Sequence, residues 1–295
     1  MISSLSKAVR MLALAFLLTP TPVVMSRASA TKKIYIITDM EGVGGIFDTV
    51  LQCIPNKSPR WEESRKLLTG EINAAVDGLF DGGATEVVVL DGHWSGQNLS
   101  TLDIHPRARL LTGGVMSAPM ELDSSYSAVV FIGQHALAGA EKGVLSHSYD
   151  EDHIQNIWVN NKRTGEIGAR VMLAGTFGVP AIMLSGDVAA CKEIRELVPQ
   201  AECAEVKAGV SRTAAFMISH PAACALIREK AGRAMQRLAE FKPYTLSGPV
   251  EVKVEFTPTS TTMFRPREGV EQLDQRTWIF RGKDIMEAWL KYSSF

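Results

Sequence analysis

Cysteine is scarce in these 295 residues, and Cys53, Cys191, Cys203 and Cys224 fall at irregular spacing. No Cys-x-x-Cys pair is present, which excludes a zinc–thiolate site, and the chain is long enough to bury a core without a disulfide framework. Buried thiols are expected, with one bridge at most. There is no basic run and no aromatic ladder, so nothing points to nucleic acid. Internal repeats and low-complexity stretches are absent. Long apolar runs are absent too, apart from Met11–Leu18, which Pro20 and Pro22 interrupt before the ~20 residues a membrane span needs. Lys7 and Arg10 precede that run and Ala28-Ser29-Ala30 follows it. This is the pattern of a secretory signal peptide over residues 1–30, cleaved after Ala30, with an uncleaved tether as the rival reading. The mature protein is then expected to be secreted or periplasmic, without stable membrane insertion. Residues 1–30 hold three cations (Lys7, Arg10, Arg27) and no acid. Taking these from the 31 Lys and Arg leaves 28 against 32 Asp and Glu.

What is present is an ordinary globular composition, 46% hydrophobic and 21% charged. Strand and helix patterns alternate. Strands are expected at Ile34–Ile37, Glu86–Leu90, Arg109–Leu111, Ala128–Ile132 and Ala181–Leu184, with helices at Glu62–Asp81, Glu166–Phe177 and Val188–Leu197. Ile157-Trp158-Val159 followed by Asn160-Asn161-Lys162 reads as a hairpin. The pattern predicts an α/β fold, a mainly parallel sheet flanked by helices, over residues 31–200. Beyond that the character changes to a helix at Pro221–Leu238, an alternating strand at Val250–Phe256, a strand at Thr277–Phe280 and a helix from Asp284. A smaller α+β subdomain over residues 201–295 is expected.

The polar residues fall in telling places. Asp39 and Glu41 are separated by one residue at the end of the first strand, so an extended backbone points both carboxylates the same way. They repel each other unless a cation or a proton lies between them. Asp91 and His93 follow the second strand, and His135 follows the fourth. In an open parallel sheet these ends share one edge, where ligands bind. Carboxylates with neutral imidazoles suit zinc or another first-row divalent ion, and a shared carboxylate would hold a metal pair. Each residue also has a plain reading: acids at strand ends are commonly caps or turn residues. Glu166 complements the positive end of a helix, and His147 in Ser146-His147-Ser148 reads equally as a structural histidine or a proton shuttle. His105, His153 and His220 read as solvated.

Asp39-Met40-Glu41-Gly42, Asp91-Gly92-His93, Gly133-Gln134-His135-Ala136, Gly143-Val144-Leu145-Ser146-His147-Ser148 and Gly165-Glu166-Ile167-Gly168, in this order, resemble the M55 family of zinc-dependent D-aminopeptidases. Ser185-Gly186-Asp187, Val206-Lys207 and Ser211-Arg212 extend the resemblance. It implies two zinc ions (Zn2+) per subunit bridged by Asp39, with Glu41 and His93 on one, His135 and Glu166 on the other, and His147 as the catalytic residue. It further implies a short-peptide substrate with an N-terminal D-residue of the D-Ala type, and a homo-oligomer, a decamer. The stretch between His135 and His147 is one residue longer than the family pattern, which places the loop bearing His147 in question. Together with the leader, the resemblance predicts an exported D-aminopeptidase acting on peptidoglycan-derived peptides. The alternatives are another metallohydrolase on the same site, an amidase, phosphoesterase or L-specific aminopeptidase, and a non-catalytic exported peptide-binding protein.

Overall fold

A computed structural model describes residues 31–113 and 121–293; the leader expected at residues 1–30 lies outside the described residues. In chain order the strands are β1 (Lys33–Thr38), β2 (Glu86–Leu90), β3 (Ala108–Leu111), β4 (Ala128–Gln134), β5 (Ile154–Val159), β6 (Lys162–Arg163), β7 (Ala181–Asp187), β8 (Glu202–Ser211), β9 (Ala214–Met217), β10 (Val250–Phe256), β11 (Val270–Gln272) and β12 (Thr277–Gly282). The helices are α1 (Thr49–Gln52), α2 (Trp61–Asp81), α3 (Glu166–Thr176), α4 (Val188–Leu197), α5 (His220–Gln236) and α6 (Ile285–Ser293).

Seven strands form one sheet in the order β3-β2-β1-β4-β7-β8-β9, parallel throughout except for β9. β1 and β4 are buried along nearly their whole length, as expected of continuous Val/Ile runs in a sheet covered on both faces. The chain winds from β1 through β2 to β3 on one side and from β4 through β7 to β8 on the other. A crevice therefore opens between the C-terminal ends of β1 and β4, where the winding direction switches. Pairing of Ile37 with both Leu90 and Phe131 brings Asp39, Asp91 and His135 to one edge.

The second sheet, β11-β12-β10-β5-β6, is antiparallel and carries α6 on one face. Val252, Val254, Trp278, Phe280 and Trp289 form its core. Asn160 and Asn161 both adopt positive φ (46° and 66°), the handedness a tight hairpin between β5 and β6 requires.

Residue 200 does not separate the two sheets. β8 and β9 extend the first sheet and α5 packs on α2, while β5 and β6 join the second sheet through β10. The reason is chemical. β8 reads as polar because Glu202 and Lys207 are buried in it, Glu202 against Arg233 and Arg237, and Lys207 against backbone carbonyls. All four cysteines are free thiols. No helix among the described residues is long and apolar enough to cross a membrane.

Two glycines let the crevice close. The Gly42 amide donates to the Gly133 carbonyl at 2.7 Å, and a Cβ on Gly133 (φ +74°) would sit 2.2 Å from the Asp39 carbonyl oxygen. Gly178 has nearly the same φ, +73°, but open space around it. Gly178→Ala should therefore cost about 1 kcal/mol, the local price of left-handed backbone. Gly133→Ala should cost roughly 2–4 kcal/mol, because the backbone must also shift. Denaturant midpoints of the two variants compare the effects directly.

Candidate metal centre

Asp39 lies one residue beyond β1, with its oxygens facing opposite ways. Oδ1 is 3.0 Å from His93 Nδ1, and Oδ2 is 3.4 Å from His135 Nε2. Glu41 Oε2 lies 3.2 Å from the same His93 nitrogen, and Glu166 Oε1 lies 3.3 Å from the same His135 nitrogen. Two donor trios thus share Asp39. All five side chains are buried.

The tautomers are set from outside. His93 Nε2 donates to the Cys53 carbonyl at 2.7 Å, just past α1, and His135 Nδ1 donates to the Ala136 carbonyl at 3.0 Å. With those protons committed, a neutral ring turns its lone pair onto two carboxylates, acceptor against acceptor. Either a second proton or a cation must lie between them. Glu41 Oε2 and His135 Nε2 have no hydrogen-bond partner despite being buried, so the arrangement is not completed by hydrogen bonding alone. Ligand atoms ~2.0–2.2 Å from a tetrahedral zinc ion lie about 3.3 Å apart, and the separations here are 3.0–3.4 Å. Nitrogen and oxygen donors in this spacing fit zinc, and the outward hydrogen bonds to carbonyls are the usual support of a metal-binding imidazole.

In the metal-free protein protons take the cation's place. Burial pushes both imidazoles down, but the surrounding carboxylates outweigh it and hold His93 and His135 well above the usual histidine value. Burial likewise pushes Asp39 up, and the imidazoles of His135 and His93 beside it bring it well below the carboxylate range. Glu166 is lowered as well. Burial and the Asp39 charge push it up, and His135 and Arg170 prevail.

His147 joins the cluster. Its ring stacks on His135, centroids 4.0 Å apart and 14° from parallel, and its Nε2 lies 3.9 Å from Glu166 Oε1. Nδ1 donates to the Leu145 carbonyl at 2.8 Å, leaving Nε2 with the lone pair. Left-handed Lys142, Leu145 and Tyr149 (φ 55°, 50° and 62°) strain this loop. It is held by Asp187, which accepts from the Val144 amide at 2.6 Å, and by the Arg212 carbonyl, which accepts from the Leu145 amide at 2.8 Å. Asp187 is also the N-cap of α4.

Asp91 does not join. Its carboxylate accepts from the Asn98 and Leu99 amides at 2.7 and 2.9 Å and so orders the loop after His93. His153 is half exposed and bonded to Asp150. Contrary to expectation, His105 is mostly covered, 3.2 Å from Asp77, and His220 packs beside Cys224. The sequence resemblance includes Lys207 but gives no role to it or to Glu71, the supports of Glu41. Lys207 Nζ donates to the Glu41, Val43 and Ile46 carbonyls, and Glu71 Oε1 accepts from the Gly44 amide at 2.8 Å. Burial pushes Lys207 down to about 8, against Asp187 and Glu71, and pushes Glu71 up to about 8, against the Gly44 amide and Lys207. Nothing in their spacing marks them. Arg170, 3.8 Å from Glu166 Oε2, carries a faint mark, being one helical turn further along α3.

Two outcomes follow. The folded metal-free protein binds protons at His93 and His135 more tightly than the unfolded chain, whose reference value is 6.5. That stabilisation is complete below pH 6.5 and lost as pH rises through the folded values. Asp39 and Glu166, with lowered values, act only in acid. Melting temperature of chelator-treated protein should therefore fall as pH rises above 6.5, and zinc should abolish the fall. Lys207→Met should weaken zinc binding roughly 10–100-fold, the usual effect of losing a ligand's support, read by chelator competition.

A D-aminopeptidase model of peptidase family M55 matches residues 32–292. The D-aminopeptidase of Bacillus subtilis (strain 168) is 33% identical over 261 residues, which is 87% of this chain and 94% of that protein. The solved structure of the Zn-dependent D-aminopeptidase DppA from Bacillus subtilis, described as a self-compartmentalizing protease, superposes with a TM-score of 0.79 at 31% identity, covering 88% of this chain and 95% of that one. With its sheet, its paired donor trios and nearly its full length accounted for, the chain belongs to the M55 family of D-aminopeptidases.

Proposed function

We infer that the protein is an exported aminopeptidase that holds two zinc ions per subunit and removes an N-terminal D-residue, D-alanine in type, from short peptides. The observation that carries this reading is the division of Asp39, one oxygen to each trio. Asp39, Glu41 and His93 would hold one ion, and Asp39, His135 and Glu166 the other. When bound, such a pair supplies Lewis-acid polarisation of a scissile carbonyl and lowers the pKa of water.

The chain's own groups supply the rest. Burial of the donors keeps bulk water from competing for the substrate's polar atoms. His147 is fixed by its Nδ1–H bond to the Leu145 carbonyl, so Nε2 is the atom that takes up a proton and returns it to the leaving amine. The stack on His135 keeps that nitrogen at the donor cluster. Export is supported by the leader-like composition of residues 1–30. Peptides released from peptidoglycan, which carry D-residues, are then the substrates within reach. The self-compartmentalizing relative supports a closed homo-oligomer, which we take to be a decamer.

Zinc-loaded protein should release alanine from D-Ala dipeptides and leave matched L-Ala dipeptides and p-nitrophenyl phosphate intact, and a chelator should stop the reaction. His147→Ala should retain its zinc and lose about 100-fold or more in kcat. Asp39→Ala should lose both ions by elemental analysis. Faster release from L-Ala peptides, or full activity in either variant, would contradict the assignment.

A further inference from the structure

His147 also lines a cleft of about 490 Å³ whose other polar residues include Ser146, Glu151, Asp152, Arg212 and Thr257. Arg212 is the only permanently cationic group among the described residues that line it. Its side chain is 47% exposed, and its Nη2 pairs with Glu151 Oε2. One edge of the guanidinium is thus spoken for, and its fork can accept a second planar anion. The backbone of Arg212 is rigidly placed, because its carbonyl accepts from the Leu145 amide, two residues before His147.

We propose that Arg212 reads the C-terminal carboxylate of the peptide, which makes the enzyme selective for very short substrates with a free C-terminus. This rests on the aminopeptidase reading. His147 belongs to both places, its ring stacked on His135 and its side chain lining the cleft, so a substrate whose amino end sits at the donor trios would extend past it toward Arg212. A dipeptide is only about 7 Å long, so its carboxylate stays near its amino end, whereas a longer peptide would carry it past a single fixed cation. Glu151 and Asp152 make the remaining lining anionic and unfavourable to a carboxylate anywhere except against the guanidinium. Glu151 plays two parts: it orients Arg212 before substrate arrives, and it competes with the substrate for the same cation. A merely structural Arg212–Glu151 pair would make both substitutions harmful. A carboxylate reader with a competing counter-ion gives them opposite signs.

The test compares D-Ala-D-Ala with its C-terminal amide on zinc-loaded protein. The wild type should show the lower KM for the free acid. Arg212→Gln should raise that KM on the order of 10- to 100-fold, the effect of one lost charge-assisted pair, with kcat little changed and the amide unaffected. Arg212→Lys should recover part of the loss, and Glu151→Gln should lower the KM for the acid. Equal KM for acid and amide in the wild type, an equal shift of both in Arg212→Gln, or a raised KM in Glu151→Gln would overturn the proposal. The same pair of peptides is titrated calorimetrically into zinc-loaded His147→Ala protein. Absence of wild-type turnover then counts against the aminopeptidase reading, while the Kd difference between acid and amide still decides the role of Arg212.

Discussion

The commitment of one imidazole proton on each side of Asp39 organises this molecule. The carbonyls of Cys53 and Ala136 take the outward N–H of His93 and His135, and what remains facing inward is two lone pairs and three carboxylates. Such a group is untenable in a buried site without positive charge. Protons can supply that charge and zinc can supply it better, since zinc satisfies the lone pairs and the carboxylates together. The site is therefore a store of electrostatic free energy that metal binding releases, and fold stability and metal occupancy are coupled through it.

Support for this arrangement comes from several elements. β1 and β4 adjoin at the switch point of the sheet, and their ends can meet only because Gly42 and Gly133 lack side chains. β8, two strands further along the sheet from β4, sends Lys207 beneath the loop after β1 to collect three carbonyls. α3 delivers Glu166 from its first turn, where the Tyr149 amide donates to it at 2.9 Å. The loop with His147 is strained, and it is restrained by Asp187 from β7 and by Arg212 at the turn after β8. Strain of this kind persists only where neighbours over-determine the backbone. The neighbours here, β7 and β8, belong to the same sheet as β1, β2 and β4, whose ends carry four of the five donors, so a change in the sheet would be felt at the donor trios and His147 together.

The cleft beyond His147 has a different character. Its Arg212–Glu151 pair is partly exposed rather than buried and unsatisfied, which suits reversible recognition. The chemistry is held by the parallel sheet, whereas the cleft draws lining residues from the loop before β5 and from Thr257 after β10. These loops can thus vary while the donor trios stay fixed.

Much of this was legible in the chain. Continuous apolar runs located β1, β2, β4 and β7, and the helical periodicity located α2, α3 and α4. Local periodicity suffices there because each element buries a face of its own. Asp39 and Glu41 do converge, but through a turn rather than an extended backbone, since β1 ends at Thr38 and Glu41 already lies in the turn. β8 escaped notice because the residues that make it functional, Glu202 and Lys207, are charged and find their partners only in other segments. Asp91 looked like a ligand by position, yet its hydrogen bonds to the Asn98 and Leu99 amides turn it to structural use. The sequence alone thus determined which donor types stand at which strand ends. Which nitrogen of each histidine faces Asp39, which carboxylate lies between the two imidazoles, and that Lys207 and Glu71 hold the loop were decided by the tertiary structure. Apart from the bond of His135 to the adjacent Ala136 carbonyl, these depend on contacts between segments tens to more than a hundred residues apart, and no local pattern encodes them.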